Sequence, residues 1–176
     1  YVQGCTLAGN GAEFGDAVFA AGNVGPFLQN TLMASNYGYY GAVVCDGALG
    51  TPHLTLSCCD IWGNGGGDWN GCIASQLGTA GNFSQNPLFC NAGADDYHLA
   101  SNSPCAEVMN PACGLVGALP AACGPLGGTV RHVKADASGE YLTIQHALNN
   151  CVDGDVVELA DGVYTGTGNR DVNPLG

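Results

Sequence analysis

Three segments of the chain repeat one pattern of apolar and polar positions. They cover residues 2–10, 28–36 and 56–64, and each ends in an asparagine, so that the asparagines stand 26 and 28 residues apart. A glycine-bearing stretch and then a second short apolar segment follow each of them, at residues 17–20, 42–45 and 72–74. Short strands separated by turns at near-constant spacing predict the stacked coils of a β-solenoid. A β-sandwich would show similar alternation without requiring equal spacing.

The rest of the sequence divides into three parts. Residues 77–123 are short apolar pieces joined by turn formers, which we interpret as closing coils, so that coils and closing coil together span 1–123. Residues 124–128 have the composition of a linker. Residues 129–176 predict a strand, a short amphipathic helix and a strand, at 129–134, 142–149 and 155–159. The predicted fold class is therefore all-β, a right-handed parallel β-helix (solenoid) with one short helix.

The charge of the chain excludes several kinds of partner. There are 15 acidic and 3 basic residues, a net charge of −12, and the cations Arg131, Lys134 and Arg170 all lie in the last 46 residues. A nucleic-acid binder needs several cations to replace phosphate counterions, so we expect no nucleic-acid partner. Anionic membranes and anionic sugars are disfavoured for the same reason. No apolar run approaches the ~18 residues of a membrane span, so we expect no membrane insertion.

The ten cysteines indicate disulfides formed in an oxidising compartment. They include no CxxC pair, which argues against a zinc ribbon or a c-type haem site. We therefore expect a secreted protein, extracellular or on a cell surface. Because the chain begins at Tyr1 without Met, we expect any signal peptide to have been removed. The sequon at Asn82 makes this residue a candidate for N-glycosylation.

Two stretches near the end of the chain carry a family resemblance. They read KADASGEYLTIQHAL at residues 134–148 and DGDVVELADGVY at residues 153–164. Both resemble the opening of pectate-lyase-like right-handed parallel β-helix proteins of the kind that bacteria secrete, in which such a strand–helix–strand element caps the N-terminal end of the solenoid. The stretch from NPLF at residues 86–89 to Ser103 and Pro104 looks like the closing coil of the same family, usually written with Asp in place of Asn86.

The order of the parts departs from the family pattern. Family members run from cap to coils to closing coil, whereas here the cap element, residues 129–176, comes last. It could fold back on its own solenoid as a circular permutation, or it could cap the next molecule. About five coils at ~4.8 Å separate the ends of the solenoid by roughly 20–25 Å. The linker 124–128 spans at most ~18 Å, so we expect capping between molecules.

Proximity along the chain and between adjacent coils suggests four disulfides. They are Cys90–Cys105, Cys113–Cys123, Cys59–Cys72 and Cys45–Cys58. Cys5 lies in the first coil and Cys151 follows the cap helix, so both would meet where a cap stacks on that coil. Connectivity cannot be deduced from sequence, and the alternative is that Cys5 and Cys151 are two buried free thiols.

Residues that could carry chemistry are few and scattered. Asp95 and Asp96 form an adjacent acid pair, which we interpret as a solvated turn rather than a glycosidase pair. No histidine has a partner suggested by spacing, at His53, His98, His132 or His146. The turn at residues 63–69 could hold calcium, but it lacks the spacing of a calcium loop, and we expect no cofactor. Three aromatic side chains, Tyr37, Tyr39 and Tyr40, could stack on sugars or pack on a neighbouring molecule.

These observations predict a structural protein without catalytic activity. We expect a protomer of an extracellular head-to-tail filament or surface array, formed by cap exchange between β-helices, with itself as partner. One alternative is a carbohydrate-binding or carbohydrate-active β-helix, which rests on fold analogy. Another is one repeat of a longer tandem surface protein.

Overall fold

The structure is a computed structural model that describes residues 1–12, 15–48, 50, 52–151 and 155–173. The chain forms two compact units, Tyr1–Cys123 and Gly124–Gly176. The motif residues Asp153 and Gly154, and the end of the chain from 174 to 176, lie outside the described residues.

The first unit is a parallel β-solenoid with the predicted repeat. Its first two coils contain the strands β1 (Val2–Gln3), β2 (Thr6–Ala8), β3 (Val18–Ala21), β4 (Phe27–Gln29), β5 (Leu32–Ala34) and β6 (Val43–Asp46). The third coil contains β7 (Thr55–Ser57), β8 (Asp60–Trp62) and a 3₁₀ helix, Gly71–Gln76. The strands stack in parallel in the orders β1-β4-β7, β2-β5-β8 and β3-β6. Val2 pairs with Leu28 and Leu28 with Leu56, which confirms the spacings of 26 and 28 residues.

The third coil differs from the prediction at residues 72–74, which form part of the 3₁₀ helix instead of a strand. Gly71 has a φ of +56° and turns the chain out of the extended path. The Gln76 side chain then clamps the helix to the coil, because it accepts from the Leu56 N–H at 2.8 Å and donates to the Leu54 carbonyl at 2.9 Å. Cys72 still stacks one coil from Cys45, to which it is disulfide-bonded.

The two faces of the sheet β2-β5-β8 are both buried. Met33 and Ile61 belong to the core inside the coils, together with Leu28 and Leu56. Leu32 and Ala34, the alternate residues of β5, point to the opposite face because successive side chains of a strand alternate. They pack in a second core with Leu99, Cys105, Ala106 and Val116.

Residues 85–123 form this second layer, which we call the lateral layer. It contains the strands β9 (Phe89–Asn91), β10 (Asp96–Ala100) and β11 (Ala121–Cys123), with β9 antiparallel to β10 and β11 parallel to it. The sequence predicted that residues 77–123 stack as closing coils. The start of this stretch does so, because Phe83 pairs with Asp60 of the third coil. Residues 85–123 instead cover the outer face of β2-β5-β8, because Leu32 and Ala34 leave that face apolar.

The lateral layer also runs backward along the solenoid. Cys113 is disulfide-bonded to Cys58 in the third coil. The Asn30 side chain in the second coil donates to the Cys113 carbonyl at 2.7 Å, and the Ala118 N–H donates to Thr6 Oγ1 in the first coil at 2.9 Å. The linker therefore does not start from the far end of the coils. The roughly 20–25 Å predicted between the two ends of the solenoid is then the wrong distance for choosing between capping within one molecule and capping between molecules.

The second unit has the predicted strand–helix–strand order. Strands β12 (Val130–Val133) and β13 (Val156–Leu159) pair in parallel, and the helix α1 (Ile144–Leu148) lies between them in sequence. The Thr143 side chain caps the helix by accepting from the His146 N–H. A small core of Val133, Tyr141 and Ala147 holds the unit together.

The corners of neighbouring coils stack closely at Gly66. A Cβ added to Gly66 would lie 2.1 Å from the Gly41 nitrogen and 2.7 Å from the Tyr40 nitrogen, both backbone atoms of the neighbouring coil. We expect Gly66→Ala to lower the free energy of unfolding by about 1–3 kcal/mol. Thermal unfolding followed by circular dichroism measures this, with Gly124→Ala as the control, since its Cβ would meet no described atom within 4 Å. Equal melting temperatures for the two variants would contradict such close stacking.

Candidate functional site

The first coil is built like an interior coil, but its outer face is exposed. Leu28 and Leu56 are each 1% exposed, whereas Val2, at the same place in the first coil, is 38% exposed. Leu7 is only partly buried, whereas its counterparts Met33 and Ile61 are fully buried. These two inward columns thus end at residues that lack the covering their equivalents have.

The exposed face contains an apolar cavity and three strand edges. The cavity measures about 630 Å³, and its lining includes Val2, Leu7, Val18, Ala20 and Leu28. Strands β1, β2 and β3 are each the outermost strand of their sheet. An edge strand with free N–H and C=O groups is a template for pairing with another chain. We call this face, made of β1, β2, β3 and the cavity lining, the first-coil face.

An asparagine ladder gives the solenoid a direction. The Asn10 N–H and Nδ2 donate to Asn36 Oδ1 at 2.9 and 3.1 Å, and Asn36 Nδ2 donates to Asn64 Oδ1 at 2.8 Å. Asp68 ends the ladder, because its carboxylate accepts from the Asn64 N–H and Nδ2. Each Oδ1 thus accepts from the coil before it. In the described part of the chain no donor reaches Asn10 Oδ1, which lies where a preceding coil would bond.

The opposite end of the coils is covered. Asn82 is buried beside the third coil, where its Oδ1 accepts from the Cys59 N–H and its Nδ2 donates to the carbonyls of Leu56 and Gln76. Phe83 pairs with Asp60 as the next rung of that sheet. The Asn82 amide is thus engaged inside the fold, so the predicted glycosylation of this residue is wrong for the folded state.

The disulfides are Cys45–Cys72, Cys58–Cys113 and Cys90–Cys123. All four pairings predicted from the sequence are wrong. Cys45 and Cys72 join equivalent places of two stacked coils, and the lateral layer brings Cys113 to Cys58 and Cys123 to Cys90. Cys59 and Cys105 are buried free thiols, and Cys5 and Cys151 are free and half-buried. Three disulfides fit an extracellular environment. No helix among the described residues is long and apolar enough to cross a membrane.

The acidic and histidine candidates are brought together only in part. His98 Nδ1 lies 2.7 Å from Asp96 Oδ1, and both side chains are exposed. This hydrogen bond lowers the pKa of Asp96. Asp95 is not part of this pair, and its nearest polar contact is the Tyr97 hydroxyl at 3.5 Å. His132 pairs with Glu158 on the cap sheet, at 2.9 Å.

The other candidates stand apart from this pair. His146 packs edge-on against Tyr141, and His53 forms a backbone bond to Val24. The tyrosines Tyr37, Tyr39 and Tyr40 are exposed. In the turn at residues 63–69, the Asp68 oxygens accept from N–H groups of that turn. Across the described residues there is no group of three or more His, Cys, Asp or Glu that could hold a metal.

Sequence reasoning missed two buried carboxyl groups. Asp60, the first residue of β8, is fully buried against the lateral layer, where its Oδ2 accepts from the Cys105 thiol at 3.1 Å. Asp16 is 4% exposed, and neither of its carboxylate oxygens has a hydrogen-bond partner among the described residues. A signal for Asp60 was available, because it aligns with the apolar Leu32 in the repeat.

No protein-family model, curated protein or solved structure significantly matches this chain. The fold itself establishes a parallel β-solenoid with a small helix.

Proposed function

We propose that the protein is a structural protomer that assembles head to tail in an extracellular filament or surface array. The first-coil face of one copy receives the cap element of the next. The observation that carries this proposal is the exposure of columns in the first coil that are fully buried in the second and third. Burying the apolar surface of this face stabilises the joint by about 25 cal/mol per Å² removed from water.

The cap element has features complementary to this face. Tyr141 forms a β-bridge to β12 on one side of the sheet, and β13 is the outer strand on the other, where no described residue forms a further strand. Val156 and Leu159 of β13 are 54% and 44% exposed. A parallel strand with apolar side chains is what the edges of β1, β2 and β3 pair with inside the solenoid. The resemblance to the capping element of pectate-lyase-like proteins supports the same pairing.

A further argument favours the cap over a second solenoid as the occupant of this face. Stacking of solenoid on solenoid is disfavoured, since the third coil is covered by Asn82 and Phe83. A head-to-tail contact continues into a filament unless a rotation closes it into a ring.

Two double variants of the full chain test the assembly, one on the first-coil face and one on β13. Val24 also lines the cavity of the first-coil face and is 47% exposed. Val2→Asp with Val24→Asp therefore places charge on the first-coil face, and Val156→Asp with Leu159→Asp places charge on β13. We expect the unmodified chain to grow in mass with concentration in light scattering and each double variant to stay monomeric. In an equimolar mixture, the first variant still has an intact β13 and the second still has an intact first-coil face. We therefore expect one copy of each to form a dimer that cannot grow further.

The matched control is Val108→Asp, a change of the same chemistry at a residue that is 87% exposed on the lateral layer. It should assemble like the unmodified chain. A monomer at every concentration would contradict the proposal and favour a cap that closes its own solenoid. Non-reducing electrophoresis of the assembled fractions also shows whether Cys5 of one copy and Cys151 of the next, both free thiols within the chain, form a disulfide across the joint.

A further inference from the structure

Asp60 is a buried carboxyl group at the contact between the solenoid and the lateral layer. It lies in β8 in register with Leu32 of β5, in the column that faces the lateral layer. Its Oδ1 accepts from the Gln85 N–H at 3.0 Å, and its Oδ2 accepts from the Cys105 thiol at 3.1 Å. Both partners belong to the lateral layer, so this one carboxyl group bonds the layer to the third coil at two points.

The surroundings of Asp60 oppose a negative charge. The thiol that contacts it is that of Cys105 in the lateral layer, whereas Cys59, the residue before it in sequence, packs in the core inside the coils. The first 130 residues contain no Lys or Arg to offset the charge. Burial raises the pKa of Asp60 to about 7; the hydrogen bonds from the Gln85 N–H and the Cys105 thiol oppose this rise, and Asp68, in the turn after β8, adds a smaller rise. Burial and the nearby carboxyl group likewise raise the pKa of the Cys105 thiol.

We propose that Asp60 is a proton-operated latch that holds the lateral layer on the outer face of β2-β5-β8. The protonated carboxyl group fits the dry contact. Ionisation strengthens the bonds from the Gln85 N–H and the Cys105 thiol, but the cost of burying an uncompensated charge is larger, so the ionised group must gain water and therefore loosens the layer at this point. Because the pKa in the folded state lies above that of an unfolded aspartate, the stabilisation is complete in acid and is lost as the pH rises from about 4 through about 7.

The disulfides limit how far the layer can open. Cys58–Cys113 ties the layer to the third coil, and Cys90–Cys123 joins two parts of the layer to each other. Ionisation of Asp60 therefore produces a local and reversible opening. It would expose Leu32 and Ala34, which are fully buried in the closed state.

Hydrogen exchange of the full chain at pH 5.5 and pH 8.5, corrected for the intrinsic pH dependence, tests the latch. We expect protection of peptides around Gln85 and Cys105 to fall by roughly tenfold or more at the higher pH, while peptides from β4 and β7 change little. Asp60→Asn should remove this difference. The control Asp96→Asn, which neutralises an exposed carboxyl group of the same layer, should keep it.

An equal loss of protection in every coil, or an unchanged pH dependence in Asp60→Asn, would overturn the proposal. If Asp60→Asn does not fold, Asp60→Thr serves instead, because threonine occupies the same column at Thr6. Carbon-13 NMR of the unmodified chain gives an independent reading. A buried carboxyl carbon that titrates near pH 7 supports the latch, and titration of every aspartate below pH 5 overturns it.

Discussion

Replacement of Asn36 by alanine is expected to lower the free energy of unfolding by about 3–5 kcal/mol. Asn36 is the middle member of the asparagine ladder and is 2% exposed. Its amide accepts from the Asn10 N–H and donates to the Leu7 carbonyl and to Asn64 Oδ1. Alanine leaves these groups without a partner inside the stack, and each buried polar group left unsatisfied costs about 1–3 kcal/mol. Equilibrium urea unfolding followed by tryptophan fluorescence measures the loss.

Asn10→Ala is the matched control, since it removes the same side chain from the exposed end of the ladder. Asn10 donates one side-chain bond, to Asn36, so we expect a loss of about 1 kcal/mol. A cost at Asn10 equal to that at Asn36 would show that the ladder does not act as a directional stack.

The coils could be predicted from the sequence because their side chains form columns. Val2, Leu28 and Leu56 occupy one inward column, and the spacing of the asparagines fixed the register to the residue. Stacked coils place equivalent residues directly above one another, so a repeat in sequence becomes a repeat in space. The cap element was recognisable for a different reason, since its strand–helix–strand order is local in sequence.

The lateral layer could not be predicted from the repeat, because its contacts join distant residues. Ala118 bonds to Thr6, and Leu99 packs on Leu32. One signal was nevertheless present: β5 is apolar at every residue, Leu32, Met33 and Ala34, and a strand without alternation is covered on both faces.

Two of the three disulfides were missed for the same reason as the lateral layer. Neighbours in sequence, such as Cys90 and Cys105, are separated when the layer turns, while Cys90 meets Cys123. Cys58 meets Cys113 because the layer runs back past the third coil. Cys45–Cys72 is different, because its separation of 27 residues is one coil, so the repeat contained the signal for this pair.

Removal of the Cys58–Cys113 disulfide, by Cys58→Ser with Cys113→Ser, is expected to lower the free energy of unfolding by about 4 kcal/mol. The bond closes a loop of 55 residues, and the entropy that such a loop removes from the unfolded chain corresponds to about this value. Of the three disulfides, it is the bond that ties the lateral layer to the coils. We therefore also expect Cys105, a buried thiol in the contact between the layer and the solenoid, to react with an alkylating reagent that does not reach it in the unmodified chain.

Peptide mass spectrometry after brief alkylation identifies which thiols react, and urea unfolding gives the stability. The control is Cys90→Ser with Cys123→Ser, which opens a loop of 33 residues inside the lateral layer. Its expected cost is also close to 4 kcal/mol, but it leaves the layer tied to the third coil, so Cys105 should stay protected. Equal labelling of Cys105 in both double variants would show that the Cys58–Cys113 bond is not what keeps the layer on the solenoid.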